Sequence, residues 1–238
     1  MCVCVCVCVC VCVCVCVCVC VCVCVCVCVC VCVCVCVCVC VYRTFCAENG
    51  IEAAEVGCGN GRLSCRLAAM FPNTRFTLTD VSPESLKRAR KRVLEEGLTN
   101  VTVHFLDVCQ VPDDWKEKFD WMMAENVIHD LPHPLKALQG INKVLKPGGH
   151  FSLVDEFVST YVAENLTNMG SAALYALGTF SCIPESYQQS DSEALGACWG
   201  EEKARELLST ARFNVLGLIR LEVKDVRSMA VCMCQKSA

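Results

Sequence analysis

The sequence predicts an α/β fold, a doubly wound and mostly parallel β-sheet with helices on both faces. Strand-like and helix-like segments alternate after residue 50, and a glycine-rich turn follows the first strand-like segment. Acidic residues end the next two strand-like segments. Repeated strand–helix units form parallel sheets with right-handed crossovers, and they bind ligands at the carboxyl ends of the strands. We therefore expect a ligand site at that edge.

Residues 1–41 are a low-complexity repeat in which Cys and Val alternate without interruption after Met1. A TG dinucleotide repeat encodes this alternation in every reading frame, so we interpret the segment as a translated microsatellite or gene-model artefact. The alternative is a membrane-inserting segment, because the run exceeds the ~20 apolar residues of one transmembrane helix. We predict one folded domain, residues 42–238, and no membrane association unless the repeat is expressed and inserts.

Composition outside the repeat is typical of a cytoplasmic domain. Twenty of the 28 cysteines belong to the repeat, and the others are scattered singly except for Cys232 and Cys234. This pattern predicts reduced core thiols rather than disulfides or a zinc pair. The net charge is −4, so the basic run at 87–92 is expected to be a solvated helix face rather than a nucleic-acid site.

Seven strand-like segments follow the repeat, with helix-like segments between most of them. The strands are predicted at 51–56, 75–80, 100–108, 119–128, 150–157, 213–223 and 228–236. The first is weak, because Ala53 and Ala54 stand where larger β-forming residues are usual.

Four helices are predicted at 62–71, 82–97, 134–149 and 201–212. In the first, Leu63, Leu67 and Met70 share one face. The second begins at a Ser82 N-cap and stops at Gly97, and the third closes on Pro-Gly-Gly. The irregular stretch 158–195 is expected to form part of a pocket wall with its three tyrosines, Tyr161, Tyr175 and Tyr187.

The turn "EVGCGNGRLS" at 55–64 places three alternating glycines between a strand and a helix: Gly57, Gly59 and Gly61. Glycine permits positive φ and lets backbone amides approach a ligand closely. The helix N-terminus behind the turn favours a carboxylate or a phosphate. The turn alone is a weak signal.

Two aspartates strengthen it. Asp80 ends the second strand, where a carboxylate can accept hydrogen bonds from both ribose hydroxyls. Asp107 ends the third strand, where it can meet an adenine amino group while the amide of Val108 faces a ring nitrogen. Either aspartate alone could be a turn or helix cap, but three such features at successive strand ends favour a nucleoside-containing ligand.

This series resembles the motifs of class I S-adenosylmethionine-dependent methyltransferases. The resemblance rests on the glycine turn, Asp80, "LDV" at 106–108 and "VLKPGGHFSLVDE" at 144–156, and it covers roughly residues 50–238. It implies a Rossmann-like, seven-stranded sheet whose last strand is antiparallel. Segments 126–134 and 194–213 resemble a subgroup in which a winged-helix-like region precedes the domain.

The resemblance implies a set of residues that bind S-adenosylmethionine. Glu55 would anchor the glycine turn and orient the methionine amino group, and Glu125 with Asn126 would lie near the sulfonium. Cys58 would be a small turn residue rather than a nucleophile. The full implied set is Glu55, Gly57, Cys58, Gly59, Gly61, Asp80, Val81, Asp107, Val108, Glu125 and Asn126.

The expected reaction is in-line methyl transfer to an unidentified, small-molecule acceptor. Such a reaction needs chiefly proximity and alignment, with a general base only if the acceptor loses a proton early. His129 is the candidate base, and the alternative is a histidine that packs at the start of a loop. Metal binding by His129 with His133 is not expected, because Pro132 and Pro134 break helical pairing.

Two other functions stay open. The helices that precede this domain in the resembled subgroup are replaced here by the repeat, which favours a truncated, catalytically silent module as the second hypothesis. The third is an NAD-dependent oxidoreductase, but its usual fingerprint needs glycine at position 62, where Arg62 stands. The sequence does not predict an oligomeric state.

Overall fold

The computed structural model describes residues 50–167, 169–187, 191–223 and 227–237, so the repeat lies outside the described residues. Within these ranges seven strands form one sheet in the order β3-β2-β1-β4-β5-β7-β6. The strands are β1 (Glu52–Val56), β2 (Arg75–Asp80), β3 (Val101–Phe105), β4 (Phe119–Glu125), β5 (Leu145–Glu156), β6 (Phe213–Val223) and β7 (Arg227–Lys236). The first five are parallel, and β7 is antiparallel to β5 and β6, which confirms the predicted fold class.

Helices cover both faces of the sheet. They are α1 (Arg62–Met70), α2 (Pro83–Glu95), α3 (Pro134–Val144), α4 (Val162–Asn165), α5 (Met169–Leu177), α6 (Ile183–Ser186) and α7 (Glu201–Thr210). A π-helical segment, Gly178–Cys182, joins α5 to α6. Residues of α1 and α2 share one hydrophobic core with one face of the sheet, and residues of α3 and α7 share another with the opposite face.

The first strand forms at the centre of the sheet despite its two alanines. Ala53 and Ala54 are both fully buried, and they belong to the cores on opposite faces. Ala53 pairs with Phe76 of β2 and Trp121 of β4. Pairing on both edges and burial on both faces thus compensate for a low intrinsic strand preference.

Several expectations about the elements were wrong, including the ends of β3 and β4, which stop three residues earlier than predicted. The third helix stops at Val144, and β5 begins at Leu145, because Pro147 cannot continue a helix and Gly148 has a φ of +72°. The pairing of β4 with β5 shifts register here. Met70 does not join the buried face of α1 but is 48% exposed, because it is the last residue of that helix.

The basic run at 87–92 lies on α2, whose start is capped as predicted. The Ser82 hydroxyl accepts a hydrogen bond from the backbone N–H of Ser85 at 3.2 Å. Basic side chains of the run pair with acids four residues away, as in Lys91 with Glu95 and Arg92 with Glu96. This part of α2 is therefore a solvated, ion-paired face.

Among the described residues, no helix combines the length and the apolar character that crossing a membrane requires.

Candidate functional site

A cavity of about 700 Å³ opens at the carboxyl ends of β1 to β4. Its volume is within the range of small-molecule and cofactor sites. The structure brings six of the predicted site residues together in its lining: Gly57, Asp80, Val81, Asp107, Val108 and Asn126. The strand order reverses between β1 and β4, which is where α/β sheets bind ligands.

The glycine turn is built against the ends of β2 and β4. All three of its glycines have positive φ, and Gly57 also has no room for a side chain. A Cβ on Gly57 would lie 2.3 Å from a methyl carbon of Val127. The N–H of Cys58 donates to the carbonyl of Thr79 at 2.9 Å, which ties the turn to β2.

Asp80 connects the glycine turn to the start of α2. One carboxylate oxygen accepts a hydrogen bond from the N–H of Gly59 and the other from the N–H of Ser82, both at 2.8 Å. Each carboxylate oxygen has two lone pairs, so both keep acceptor capacity toward the cavity. The aspartate is therefore a fixed, negatively charged acceptor at the edge of the cavity.

Asp107, which lies just beyond the end of β3, is also fixed by two hydrogen bonds to its carboxylate. Its carboxylate accepts from the N–H of Cys109 at 2.9 Å and from the side-chain amide of Gln110 at 2.8 Å. A Cβ on Gly140 of α3 would lie 1.9 Å from the carbonyl oxygen of Val108, so α3 packs directly on this turn. Gly140 was not predicted as a site residue, although a glycine inside a helix often marks a close approach.

Asn126 adopts a left-handed conformation with φ of +48° at the end of β4. Such a conformation in a residue other than glycine is strained and is frequent at functional sites. Its Oδ1 atom is shielded from solvent and accepts no hydrogen bond from the described residues. This oxygen is thus a buried, unpaired acceptor in a residue that lines the cavity.

Glu55 lies behind the glycine turn rather than in the cavity lining. It is buried, and one of its carboxylate oxygens accepts a hydrogen bond from the Ser64 hydroxyl at 2.5 Å. Burial raises the pKa of Glu55 to about 8, and the nearby carboxylate of Glu125 contributes in the same direction. Glu55 is therefore largely protonated at neutral pH unless a cation approaches it.

Cys58 is a buried turn residue. Burial, and then the carboxylates of Glu55 and Asp80, raise the pKa of the Cys58 thiol well above its ordinary value. Nucleophilic cysteines require a thiolate, so this thiol is unsuited to covalent catalysis.

His129 does not line the cavity, and each of its ring nitrogens contacts a carboxylate. Its Nδ1 atom lies 2.8 Å from a carboxylate oxygen of Asp155, and its Nε2 atom lies 3.2 Å from a carboxylate oxygen of Asp130. Burial favours the neutral ring, but the two carboxylates outweigh burial and raise the pKa of His129 above its usual value. A protonated ring between two acids does not favour the expected role of a free general base.

The remaining cavity wall was not predicted from sequence. It includes the residues that follow the turn after β4, Leu131 to His133, together with Lys136 of α3. From the stretch 158–195, Glu185 is in the lining, whereas Tyr161 and Tyr187 are each 61% exposed. The stretch therefore contributes to the wall through Glu185, and none of its three tyrosines is among the residues that line this cavity.

The residues present fit S-adenosylmethionine. Two acidic acceptors, Asp80 and Asp107, follow one another along the cavity, and the glycine turn precedes them. An added Cβ on Gly59 would meet no atom within 4 Å, so this part of the turn faces open space. The strand order and the cavity at its reversal point are those of a class I methyltransferase fold.

Comparison with known families agrees with this class. The family model described as "Methyltransferase domain" matches residues 47–212. The chain belongs to this family, which confirms the resemblance to class I methyltransferases.

Several curated relatives are named as methyltransferases. A phthiotriol/phenolphthiotriol dimycocerosates methyltransferase of Mycobacterium leprae is 28% identical over 161 residues, which are 67% of this chain and 55% of that protein. A ubiquinone biosynthesis O-methyltransferase of Actinobacillus pleuropneumoniae is 32% identical over 119 residues, 48% of this chain and 50% of that protein. The chain spans about half the length of these relatives.

Solved structures share the fold. A SAM-dependent methyltransferase of Methanosarcina mazei matches with a TM-score of 0.62 and 18% identity, covering 82% of this chain and 97% of that one. The cyclase SpnF matches with a TM-score of 0.60 and 17% identity, covering 80% of this chain and 76% of that one. Because a protein named as a cyclase has the same fold, the fold alone does not identify the reaction.

Proposed function

We propose that the chain transfers a methyl group from S-adenosylmethionine to a small-molecule acceptor by in-line displacement. The observation that carries the proposal is the cavity whose lining presents Gly57, Asp80 and Asp107 at the ends of successive strands. Membership of the methyltransferase family supports methyl transfer. The relatives named for ubiquinone biosynthesis and for phthiotriol dimycocerosates support an organic acceptor that is neither a protein nor a nucleic acid.

When bound, S-adenosylmethionine supplies a methyl group on a positively charged sulfur, so the chain itself contributes chiefly binding and alignment. In this proposal Asp80 accepts hydrogen bonds from the ribose hydroxyls. Asp107 and the backbone of Val108 hold the adenine. Glu55, by losing its proton, and Asn126, through its unpaired Oδ1 atom, orient the methionine amino group.

We assign His129 to positioning rather than to proton transfer. Its two carboxylate partners hold the ring behind the cavity wall, and of these only Asp130 is among the residues that line the cavity. The ring therefore fixes Asp130 and the turn after β4, which form one side of the space available to an acceptor.

Calorimetric titration with S-adenosylmethionine and then with NAD tests the proposal. We expect micromolar binding of the first and none of the second. The full chain is compared with residues 42–238, which retain all the described strands and both core layers. Binding of NAD in the same cavity, or no binding of S-adenosylmethionine by either folded chain, would overturn the cofactor assignment.

A further inference from the structure

A second group of potential ligand atoms lies beside the cavity. It consists of a ring nitrogen of His129, a carboxylate oxygen of Asp130 and Sγ of Cys182, which all lie within 4.8 Å of one another. His129 and Cys182 are buried, and Asp130 also reaches the cavity lining. Alignment for methyl transfer does not require a thiol beside an imidazole and a carboxylate.

Two separate segments of the chain are fixed against each other to form this group. His129 and Asp130 belong to the short turn Ile128–Asp130 after β4, and Cys182 ends the π-helical segment. The Ser186 hydroxyl donates to the Leu131 carbonyl at 3.1 Å, and the Gly196 N–H donates to the His129 carbonyl at 3.3 Å. Short π-helical segments frequently occur at functional sites.

The distances suit a tetrahedral metal ion. Zn²⁺ binds nitrogen and oxygen at about 2.0–2.2 Å, so two such ligands in a tetrahedron lie about 3.4 Å apart. The observed separation of Nε2 of His129 and the carboxylate oxygen of Asp130 is 3.2 Å. With a Zn–S bond of about 2.3 Å, the sulfur ligand would lie about 3.6 Å from the nitrogen and oxygen ligands. The ligand atoms of the metal-free group lie within 4.8 Å of one another, so binding needs at most a small adjustment of the Cys182 side chain.

The other ring nitrogen of His129 already has the partner that a metal-bound histidine needs. Its Nδ1 atom lies 2.8 Å from the carboxylate of Asp155, which is fully buried and also accepts the N–H of Glu156 at 2.7 Å. A carboxylate in this position orients the ring so that Nε2 faces the metal. Asp155 and His129 thus form an acid–histidine pair that lies beside the carboxylate of Asp130 and the thiol of Cys182.

We propose that His129, Asp130 and Cys182 form a binding site for a zinc-type divalent metal, with Asp155 as the partner that orients the histidine. The metal would replace the proton that the metal-free ring carries on Nε2 and the proton of the Cys182 thiol, and both protons would be released to solvent. Imidazole and thiolate ligands select zinc over magnesium or calcium. Three protein ligands leave the fourth position to water. The metal would fasten the segment that ends at Cys182 to the end of β4.

Cobalt(II) and zinc(II) alone, without S-adenosylmethionine, test this site, so the outcome does not depend on the proposed function. The full chain is used with its repeat cysteines changed to serine, because thiols of the repeat would bind the same metals. We expect one Co²⁺ per chain, with a thiolate-to-cobalt charge-transfer band and the intense visible absorption of a tetrahedral site. Cys182→Ala should abolish the band, and Asp155→Asn should weaken binding roughly 10–100-fold.

Cys65→Ala is the matched control, because Cys65 is also a buried cysteine but lies in α1, in the core on one face of the sheet. It should bind cobalt as the parent does. X-ray absorption of the zinc-loaded parent needs no variant and should show a sulfur ligand at about 2.3 Å. A parent that binds no metal, a sulfur-free zinc environment, or a Cys182→Ala chain that keeps the band would each overturn the site.

Discussion

Substitution of Asp80 by asparagine should weaken the binding of S-adenosylmethionine without changing the fold. The substitution keeps the size of the side chain but removes its charge and half of its acceptor capacity, while the N–H groups of Gly59 and Ser82 still demand acceptors. A hydrogen bond to a charged group contributes about 1.5–3 kcal/mol, which is roughly 10–100-fold in affinity. Isothermal titration calorimetry measures the change directly.

The control for charge alone is Asp113→Asn, because this exposed aspartate pairs with Lys143 away from the cavity. A ligand analogue that lacks the ribose 2′-hydroxyl separates ribose recognition from damage to the glycine turn. If Asp80 binds that hydroxyl, the analogue should bind the parent chain more weakly than S-adenosylmethionine does. In the Asp80→Asn chain the analogue should bind no more weakly than S-adenosylmethionine, because the substitution has already removed the hydrogen bond and coupled losses do not add. Additive losses, or an unchanged affinity in Asp80→Asn, would refute the ribose assignment.

Three further predictions follow from the same geometry. Asp107→Ala should weaken S-adenosylmethionine binding less than a change at Asp80 does, because the backbone of Val108 remains; calorimetry showing the larger loss at Asp107 would contradict this. The raised pKa of Glu55, about 8, means that the folded chain keeps a proton that the unfolded chain releases near pH 4.5, so the free energy of unfolding should fall as pH rises between these values. Urea titrations at several pH values should show that the free energy of unfolding of Glu55→Gln depends less on pH than that of the parent chain. An equal pH dependence in the two chains would argue against the buried proton. Gly140→Ala should lower the free energy of unfolding by about 1–3 kcal/mol through overpacking, despite the better helix propensity of alanine. Gly178→Ala is its control in urea titrations, because an added Cβ there would make an ordinary contact at 3.5 Å, and equal effects of the two changes would contradict the reasoning.

The cavity could be predicted from sequence because its parts are local. The glycine turn follows β1 directly, and Asp80 and Asp107 lie at or just beyond the ends of their strands. Parallel pairing then brings consecutive strand ends to one edge of the sheet without further information. Once the preceding strand was predicted, the position of each of these residues followed from it.

The surroundings of His129 could not be predicted in this way. Asp155 is 26 residues away along the chain, and it meets the ring because β4 and β5 pair in the register that places Glu125 beside Val154. Cys182 arrives from a π-helical segment, which has no sequence signal that distinguishes it from an ordinary helix. Sequence spacing drew attention only to His133, a pair that Pro132 and Pro134 argued against, whereas the contacts that form depend on strand register and helix winding.

Asp130 is the residue at which the two proposed sites meet. It lines the cavity and also faces Nε2 of His129, so its position depends on the same buried ring that Asp155 orients. The strained backbone of Asn126 lies only a few residues earlier, at the end of β4. Strain of that kind persists only where neighbouring contacts over-determine the backbone. In the proposed function, the end of β4 and the ion-paired turn at 128–130 would therefore shape the acceptor side of the cavity together with the glycine turn.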